Sequence, residues 1–265
     1  MIRRLLMAMG LLCCTWLTAH EFWLEPQKFN LKKGEALKLN FRVGENFHGE
    51  NWNGTRASVE SLTLYYNGIK DDLESLIPEE EPGDSLNLQF FDEGTGMISY
   101  HSTNKRIELA PDKFLEYLKE DGLDSAIAYR EAHQETDSIG KEYYQRSVKT
   151  IFQVGKQMDK TYNISCGLPL EFIPAKHPYA LTKGQTLKLR LLYHQSPLKD
   201  VKVKVWHKLN GKVKMEEYRS NANGEIQFVP SLAGRYMVSA VHMQHIDTSM
   251  TTHWQSYWGS ITWGY

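Results

Sequence analysis

The residues with the clearest capacity for chemistry are His20-Glu21-Phe22-Trp23, because they follow a secretory signal pattern. Arg3 and Arg4 are followed by an apolar run over residues 5–17 and by the small residue Ala19, which together are typical of a signal peptide. Cleavage after Ala19 would make His20 the first residue of the mature chain. Its α-amine and its imidazole Nδ1 would then close a six-membered chelate ring around one metal ion.

An amine and an imidazole form a nitrogen-rich ligand pair. Their reference pKa values are about 8 and about 6.5, so a metal ion competes easily with the proton at neutral pH. Such pairs suit nickel, cobalt, copper and zinc, and copper(II) binds most tightly by intrinsic affinity. The other amino-terminal copper and nickel motif needs histidine at the third mature position, which Phe22 occupies here. That motif is therefore excluded.

Further imidazoles are available to complete a site. His242, His245 and His253 lie close together late in the chain, and imidazole is a ligand for borderline metals. His48 and His101 are additional candidates. The alternative interpretation is that these histidines belong to a polar loop and to the solvated surface. Because successive side chains of a strand point to opposite faces, a single ion could not use every ligand of the late cluster.

Composition excludes several classes of protein. The chain has 265 residues and a formal net charge of -1, which gives no basic field for nucleic acid. No stretch after residue 19 is as long and apolar as the signal segment, so we expect no stable membrane insertion after cleavage. Cys166 is then the remaining cysteine, which leaves no intramolecular disulfide. A phosphate-binding glycine loop, a nucleophile elbow and an H-E-x-x-H motif are all absent, so the sequence offers no positive case for a hydrolase.

The elements that must position these residues are mainly β. Alternation of apolar and polar residues predicts strands, and Lys33-Gly34, Asn67-Gly68 and Asn210-Gly211 are turn signals between them. The strands are predicted at 37–43, 61–66, 85–90, 187–191, 201–205 and 235–241. We therefore predict an N-terminal β-sandwich-like region at 20–110, an extended return and linker at 148–176, and an immunoglobulin-like or transthyretin-like β-sandwich at 177–265.

Residues 111–147 change character and predict a small helical insert. Pro111 is suited to the first turn of a helix and Gly122 to its end. A second helix is predicted from Ala126, and a third helical piece at Tyr143 and Tyr144. The late aromatics Trp254, Tyr257, Trp258 and Trp263 fit a sandwich core, and alternatively a flat face for sugar rings.

Several segments resemble an exported bacterial domain family of unknown function that is linked to nickel or cobalt uptake. They are residues 19–26 (AHEFWLEP), 43–47 (VGENF), 113–118 (KFLEYL), 167–174 (GLPLEFIP), 233–236 (AGRY), 241–243 (VHM) and 256–262 (SYWGSIT). The resemblance implies a periplasmic β-rich protein and carries over His20 and His242 as candidate metal ligands. The family pattern leads us to expect an acidic residue before Trp254, where this chain has His253.

These observations favour a non-enzymatic periplasmic protein. It would capture a divalent transition metal, nickel or cobalt first and copper or zinc as alternatives, and support uptake by a membrane transporter. One alternative is a copper protein of histidine-brace type, either a carrier or a redox enzyme acting on polysaccharide. Another is a structural β-sandwich without metal.

Overall fold

The computed structural model describes residues 20–247 and 251–265 of the chain. The predicted signal peptide and Met250 lie outside the described residues. Within the described ranges the chain forms strands and two α-helices, α1 (Pro111–Glu120) and α2 (Asp124–Ala132). The strands are β1 (Glu21–Pro26), β2 (Asn30–Leu31), β3 (Ala36–Glu45), β4 (His48–Asn51), β5 (Val59–Tyr66), β6 (Ile69–Asp72), β7 (Ser85–Gln89), β8 (Gly94–Ser102), β9 (Lys105–Leu109), β10 (Gly140–Val154), β11 (Leu170–Pro174), β12 (Leu187–Tyr193), β13 (Ser196–Pro197), β14 (Lys202–Leu209), β15 (Lys212–Arg219), β16 (Glu225–Phe228), β17 (Arg235–His245) and β18 (Trp254–Gly264).

The strands form three sheets in the described part of the chain. The central sheet has the order β15-β14-β17-β18-β10-β8-β5-β6, and β2 and β9 also pair with β10. The amino-terminal sheet contains β1, β3, β4 and β7, and the carboxy-terminal sheet contains β11, β12, β13 and β16. Most pairs are antiparallel, but β10 runs parallel to both β18 and β2. The prediction of a mainly β protein with sandwich-like packing is confirmed.

The two outer sheets cover opposite faces of the central sheet. Val148 and Phe152 of β10 belong to the core beneath the amino-terminal sheet, whereas Ile151 between them belongs to the core beneath the carboxy-terminal sheet. This follows from the period of two along a strand. We call the side that meets the amino-terminal sheet the first face, and the other side the second face. The two predicted sandwich regions thus share one sheet.

The helices also cover the first face, next to the amino-terminal sheet. Phe114 and Leu118 of α1 pack with Val241 and Trp254 of the central sheet. Pro111 is the first residue of α1, where the N–H that proline lacks would have no partner within the helix. Asp112 follows in the first turn, where the helix dipole stabilises its negative charge. Within the described residues, no helix is long and apolar enough to cross a membrane.

One element differs from its prediction. Tyr143 and Tyr144 do not form a third helical piece; they lie in β10, which begins at Gly140. The prediction was wrong because the first half of β10 carries polar side chains on both faces, so that its period of two is hidden. Glu142, Tyr144 and Arg146 share the first face with Val148. Their burial is decided by the helix and strand that cover them.

Candidate functional site

His20 lies at the end of a row of three side chains across the amino-terminal sheet. Glu21 of β1 pairs with Gly44 of β3, so His20 stands opposite Glu45. Glu45 pairs in turn with His48 of β4. The Nε2 atom of His20 lies 3.8 Å from Oε1 of Glu45. Directly opposed residues share a face, so two imidazoles and one carboxylate lie next to one another.

A tight turn holds Glu45 and His48 in this position. Asn46 and Phe47 connect β3 and β4 with φ angles of 52° and 55°, as a two-residue hairpin turn requires. Phe47 is unusual there because it has a bulky side chain, but that side chain is buried against Trp23 with ring centroids 5.5 Å apart. The ammonium of Lys208 donates to the carbonyl oxygen of Phe47 at 3.1 Å. Burial of the ring therefore anchors the turn.

His242 does not join His20. Its ring lies 4.5 Å from the ring of Tyr193 on β12, which belongs to the carboxy-terminal sheet, so His242 occupies the second face. Burial, together with the nearby His194, lowers the pKa of His242. His20 precedes β1, which packs on the first face through Phe22. The central sheet separates the two histidines, so the pairing suggested by the resemblance would not form on one ion.

The other predicted ligands occupy separate places. His245 ends β17 and His253 directly precedes β18, with ring centroids 6.4 Å apart. Nδ1 of His245 lies 2.8 Å from Oδ1 of Asp247. His245 also stacks on Tyr129 of α2 at 4.2 Å. His101 is half-buried on β8, and burial lowers its pKa. His48 is exposed. The structure thus brings His245 to His253 and His48 to the row of His20.

Among residues 20–247 and 251–265, no group of three or more His, Cys, Asp and Glu side chains is arranged to hold a metal ion. A site at His20 would therefore need a main-chain donor. Cleavage after Ala19, as the sequence predicts, would create such a donor, since the new α-amine and Nδ1 would belong to the same residue. The donor set fits a borderline divalent ion.

Beside this row lies a crevice on the first face, where β1 and the end of α1 meet the central sheet. It has room for about one water molecule, with a volume of ≈ 10 Å³. It is lined by Glu21, Phe22, Asp121, Arg146, Val148, Lys202, Lys204, Ser239, Ala240, Val241, Trp258, Gly259 and Ser260. The segments 19–26, 241–243 and 256–262 of the resemblance all contribute to its walls.

Charged groups are concentrated in this crevice. The Lys204 Nζ atom lies 2.7 Å from Oδ1 of Asp121 and 3.7 Å from Oε1 of Glu21, and all three side chains are buried. Burial raises the pKa of Glu21 to about 7, although Lys204 opposes the shift. Burial also raises the pKa of Asp121. One ammonium thus serves two buried carboxylates, and Glu21 takes up a proton near neutral pH.

A second buried acid lies next to the crevice. Glu142 is only 2% exposed; its Oε1 accepts from Tyr117 at 3.2 Å and from the hydroxyl of Ser256. Its Oε2 has no hydrogen-bond partner in the described part of the chain. Burial raises the pKa of Glu142 to about 8. Tyr117 stacks on Trp258 at 5.7 Å, so the segment 113–118 converges here as well.

Sequence analysis does not identify most of the crevice residues. Glu21 is an exception, because it directly follows His20 at the predicted cleavage point. Asp121 directly follows α1, Arg146 lies on β10 and Lys204 on β14. Nothing in their local sequence distinguishes them from solvated charges. Long-range pairing alone brings them together.

Comparison with known proteins places the chain in a family. Residues 17–244 match the domain of unknown function DUF4198, so the chain belongs to that family. This confirms the expected membership in an uncharacterised domain family. No curated protein matches the chain significantly.

The chain is also similar to solved structures of β domains. One is the D0-D1 domain of intimin, at 10% sequence identity and a TM-score of 0.21, with 91% of this chain and 97% of that chain covered. Another is a segment of two fibronectin type III domains from chicken tenascin, at 11% identity and a TM-score of 0.23, covering 83% and 89% of the respective chains.

Proposed function

We propose that this protein is an exported metal-binding protein whose site is built on the amino terminus created at His20. The observation that carries the proposal is the approach of His20 Nε2 to Glu45 Oε1 at 3.8 Å. It leaves Nδ1 of the same ring for the chelate with the α-amine. A histidine ligand commonly presents its other ring nitrogen to a carboxylate, which fixes the ring and strengthens the ligand. Glu45 is in the right place for that role.

His48 supplies the next donor. It is paired with Glu45 across the hairpin and is exposed, so a rotation of its side chain brings a third nitrogen towards the ion. A site with partly exposed ligands at a chain end releases its ion readily, as a carrier must. Nickel or cobalt capture in the periplasm, followed by delivery to a membrane transporter, is the finer form of the proposal and rests on the resemblance.

The test begins with the secreted protein, whose first residue is read by mass spectrometry. Calorimetric titration with Ni²⁺, Co²⁺, Cu²⁺ and Zn²⁺ then gives the affinities. A variant with one added residue before His20 should lose the site, because the amine moves away from the ring. Glu45→Gln should weaken binding about tenfold. The matched control Glu50→Gln, on the exposed strand β4, should leave the affinity unchanged.

The outcomes separate the candidate functions. Equal affinity of the native and extended forms would reject the chelate, and a secreted product that begins elsewhere would reject it as well. A strong preference for Cu²⁺ together with oxidation of a reductant would favour the copper alternative. Absence of binding by the native form would leave a structural β-sandwich.

A further inference from the structure

Arg146 is a half-buried cation without an anion. Its guanidinium carbon lies 5.0 Å from the centre of the Phe22 ring and 5.3 Å from that of Tyr144. Within the described residues it forms no ion pair with any carboxylate, although it lines the crevice that contains Glu21 and Asp121. Those two acids are committed to Lys204. Removing a guanidinium from water without a charged partner costs free energy. An unpaired arginine at this half-buried position therefore calls for an explanation.

Lys105 is a second half-buried cation on the same face of the central sheet. It pairs directly with Tyr144 across β9 and β10, so its side chain shares the first face with Tyr144 and Arg146. It too lacks a carboxylate partner in the part of the chain that the structure describes. Burial and the charge of Arg146 lower the pKa of Lys105, which places the two cations near each other. Two like charges that are half-buried together form a site prepared for an anion.

The surroundings hold Arg146 in a fixed orientation. The main-chain N–H of Arg146 donates to Oγ of Ser102 at 2.9 Å, and Trp258 is its direct partner on the neighbouring strand β18. Cation–π contacts with the rings of Phe22 and Tyr144 restrict the movement of the guanidinium. A planar guanidinium held in this way matches a carboxylate in two parallel hydrogen bonds.

We infer that Arg146 and Lys105 form a subsite for the carboxylate of a small organic acid, on the side of β1 that His20 shares with Phe22. The crevice beside Arg146 has room for about one water molecule, ≈ 10 Å³, so the ligand binds at its mouth and one carboxylate oxygen takes the place of that water. The rest of the ligand stays outside the crevice. If the proposed function holds, on which this extension rests, the metal ion reaches His20 as a complex with an organic acid rather than as the hydrated ion.

The subsite is tested without any metal. Metal-free protein is titrated calorimetrically with citrate, malonate and inorganic phosphate. We expect the carboxylates to bind and phosphate to bind much more weakly. Arg146→Gln should weaken citrate binding at least about tenfold, the size expected for a charged hydrogen-bond pair. Lys105→Gln should weaken it less. The matched control Lys141→Gln, on β10 but on the second face, should leave citrate affinity unchanged.

Folding is controlled for by Arg146→Lys, which keeps the charge but loses the two-point contact, and by the thermal midpoint of each variant. Citrate affinity of Arg146→Lys between those of the wild type and Arg146→Gln supports the subsite. No citrate binding by the wild type, or equal binding by the wild type and Arg146→Gln, overturns it. Phosphate binding as tight as citrate overturns the choice of carboxylate.

A second titration connects the subsite to metal binding. Citrate competes for Ni²⁺ in solution and lowers the apparent affinity of any protein for the ion. We expect this reduction in apparent Ni²⁺ affinity to be smaller for the wild type than for Arg146→Gln. In the wild type, Arg146 also binds a carboxylate of citrate and so holds the nickel–citrate complex. An equal reduction in both proteins overturns the extension to a metal complex. If Ni²⁺ binds neither protein in the absence of citrate, the chelate at His20 is rejected. The carboxylate subsite is then judged from the metal-free citrate titration alone.

Discussion

Two buried ion clusters, on opposite faces of the central sheet, differ in how many buried carboxylates each lysine ammonium contacts. On the second face, Lys149 donates to Glu171 at 2.9 Å, and both side chains are 1% exposed. The two oxygens of Glu171 also accept from Ser165 Oγ at 3.0 Å and from the main-chain N–H of Cys166 at 2.7 Å. On the first face, the ammonium of Lys204 contacts both Glu21 and Asp121. One ammonium thus contacts one buried carboxylate in the cluster of Lys149 and two in that of Lys204.

The difference indicates different roles. A buried pair whose ammonium and carboxylate contact each other directly holds β10 and β11 in one arrangement, and losing either partner is costly. On the first face, burial raises the pKa of Glu21 to about 7 although Lys204 opposes the shift, so this acid stays near its titration point at neutral pH. Perturbed acids in a crevice are typical of functional sites. The largest effects on stability should therefore come from the second face, and the largest dependence on pH from the first.

The largest expected effect is that of Lys149→Met. It leaves the Glu171 carboxylate buried without its counter-ion, which should lower the free energy of unfolding by about 3–5 kcal/mol. Urea denaturation followed by circular dichroism measures the change. Lys188→Met breaks a half-buried pair with Glu225, which keeps Arg190 as a partner, and should cost less than about 1 kcal/mol. A similar decrease in the free energy of unfolding of both variants would show that the buried pair contributes no more to stability than the pair of Lys188.

Glu142→Gln should flatten the dependence of stability on pH. The pKa of Glu142 is raised from 4.5 to about 8, so the folded protein binds the proton more tightly than the unfolded chain. The wild type therefore loses stability as pH rises from about 4.5 to about 8. Glutamine imitates the protonated acid and does not titrate. The variant should be more stable than the wild type at pH 9, by on the order of 3 kcal/mol, and nearly equal at pH 5.

The readout is the free energy of unfolding at a series of pH values. Glu116→Gln is the control, because Glu116 is exposed on α1, and its profile should follow that of the wild type. Parallel profiles for the wild type and Glu142→Gln would show that Glu142 is ionised in the folded protein throughout this range.

Glu21→Gln should have the smallest of these effects, and it tests the raised pKa of Glu21 directly. Glu21 releases its proton near pH 7 in the folded state and near pH 4.5 in the reference state, so its contribution to stability also falls as pH rises between these values. Lys204 retains Asp121 in the variant. We expect a gain of about 2 kcal/mol at pH 8 and little change at pH 5. A loss of stability at pH 8 would show that Lys204 needs both carboxylates.

Much of the fold could be predicted from the sequence. Leu37, Leu39 and Phe41 alternate with polar residues and lie on one buried face of β3. The helix after Pro111 begins where its first-turn residues indicate. These features are local, since propensity and periodicity act over a few residues. Tyr143 and Tyr144 were misplaced because the polar first half of β10 is buried by distant elements and carries no local apolar pattern.

The candidate site was predictable only in part. His20 was found from the signal pattern that precedes it, and its neighbour Glu45 lies in the segment VGENF, but no local rule pairs the two. Arg146 and Lys105 look like ordinary surface charges in the sequence. Within the described residues neither forms an ion pair with a carboxylate, and this depends on which side chains the first face brings together.

The sequence by itself determined the strand and helix character of most segments and the position of a histidine at a predicted cleavage point. Only the tertiary structure decided which histidines share a space. Period-two alternation tells which residues of a strand share a face, but it does not tell which sheet covers that face. The pairing of β1 with β3, and of β10 with β18, set His20 beside Glu45 and put His242 on the other side of the central sheet.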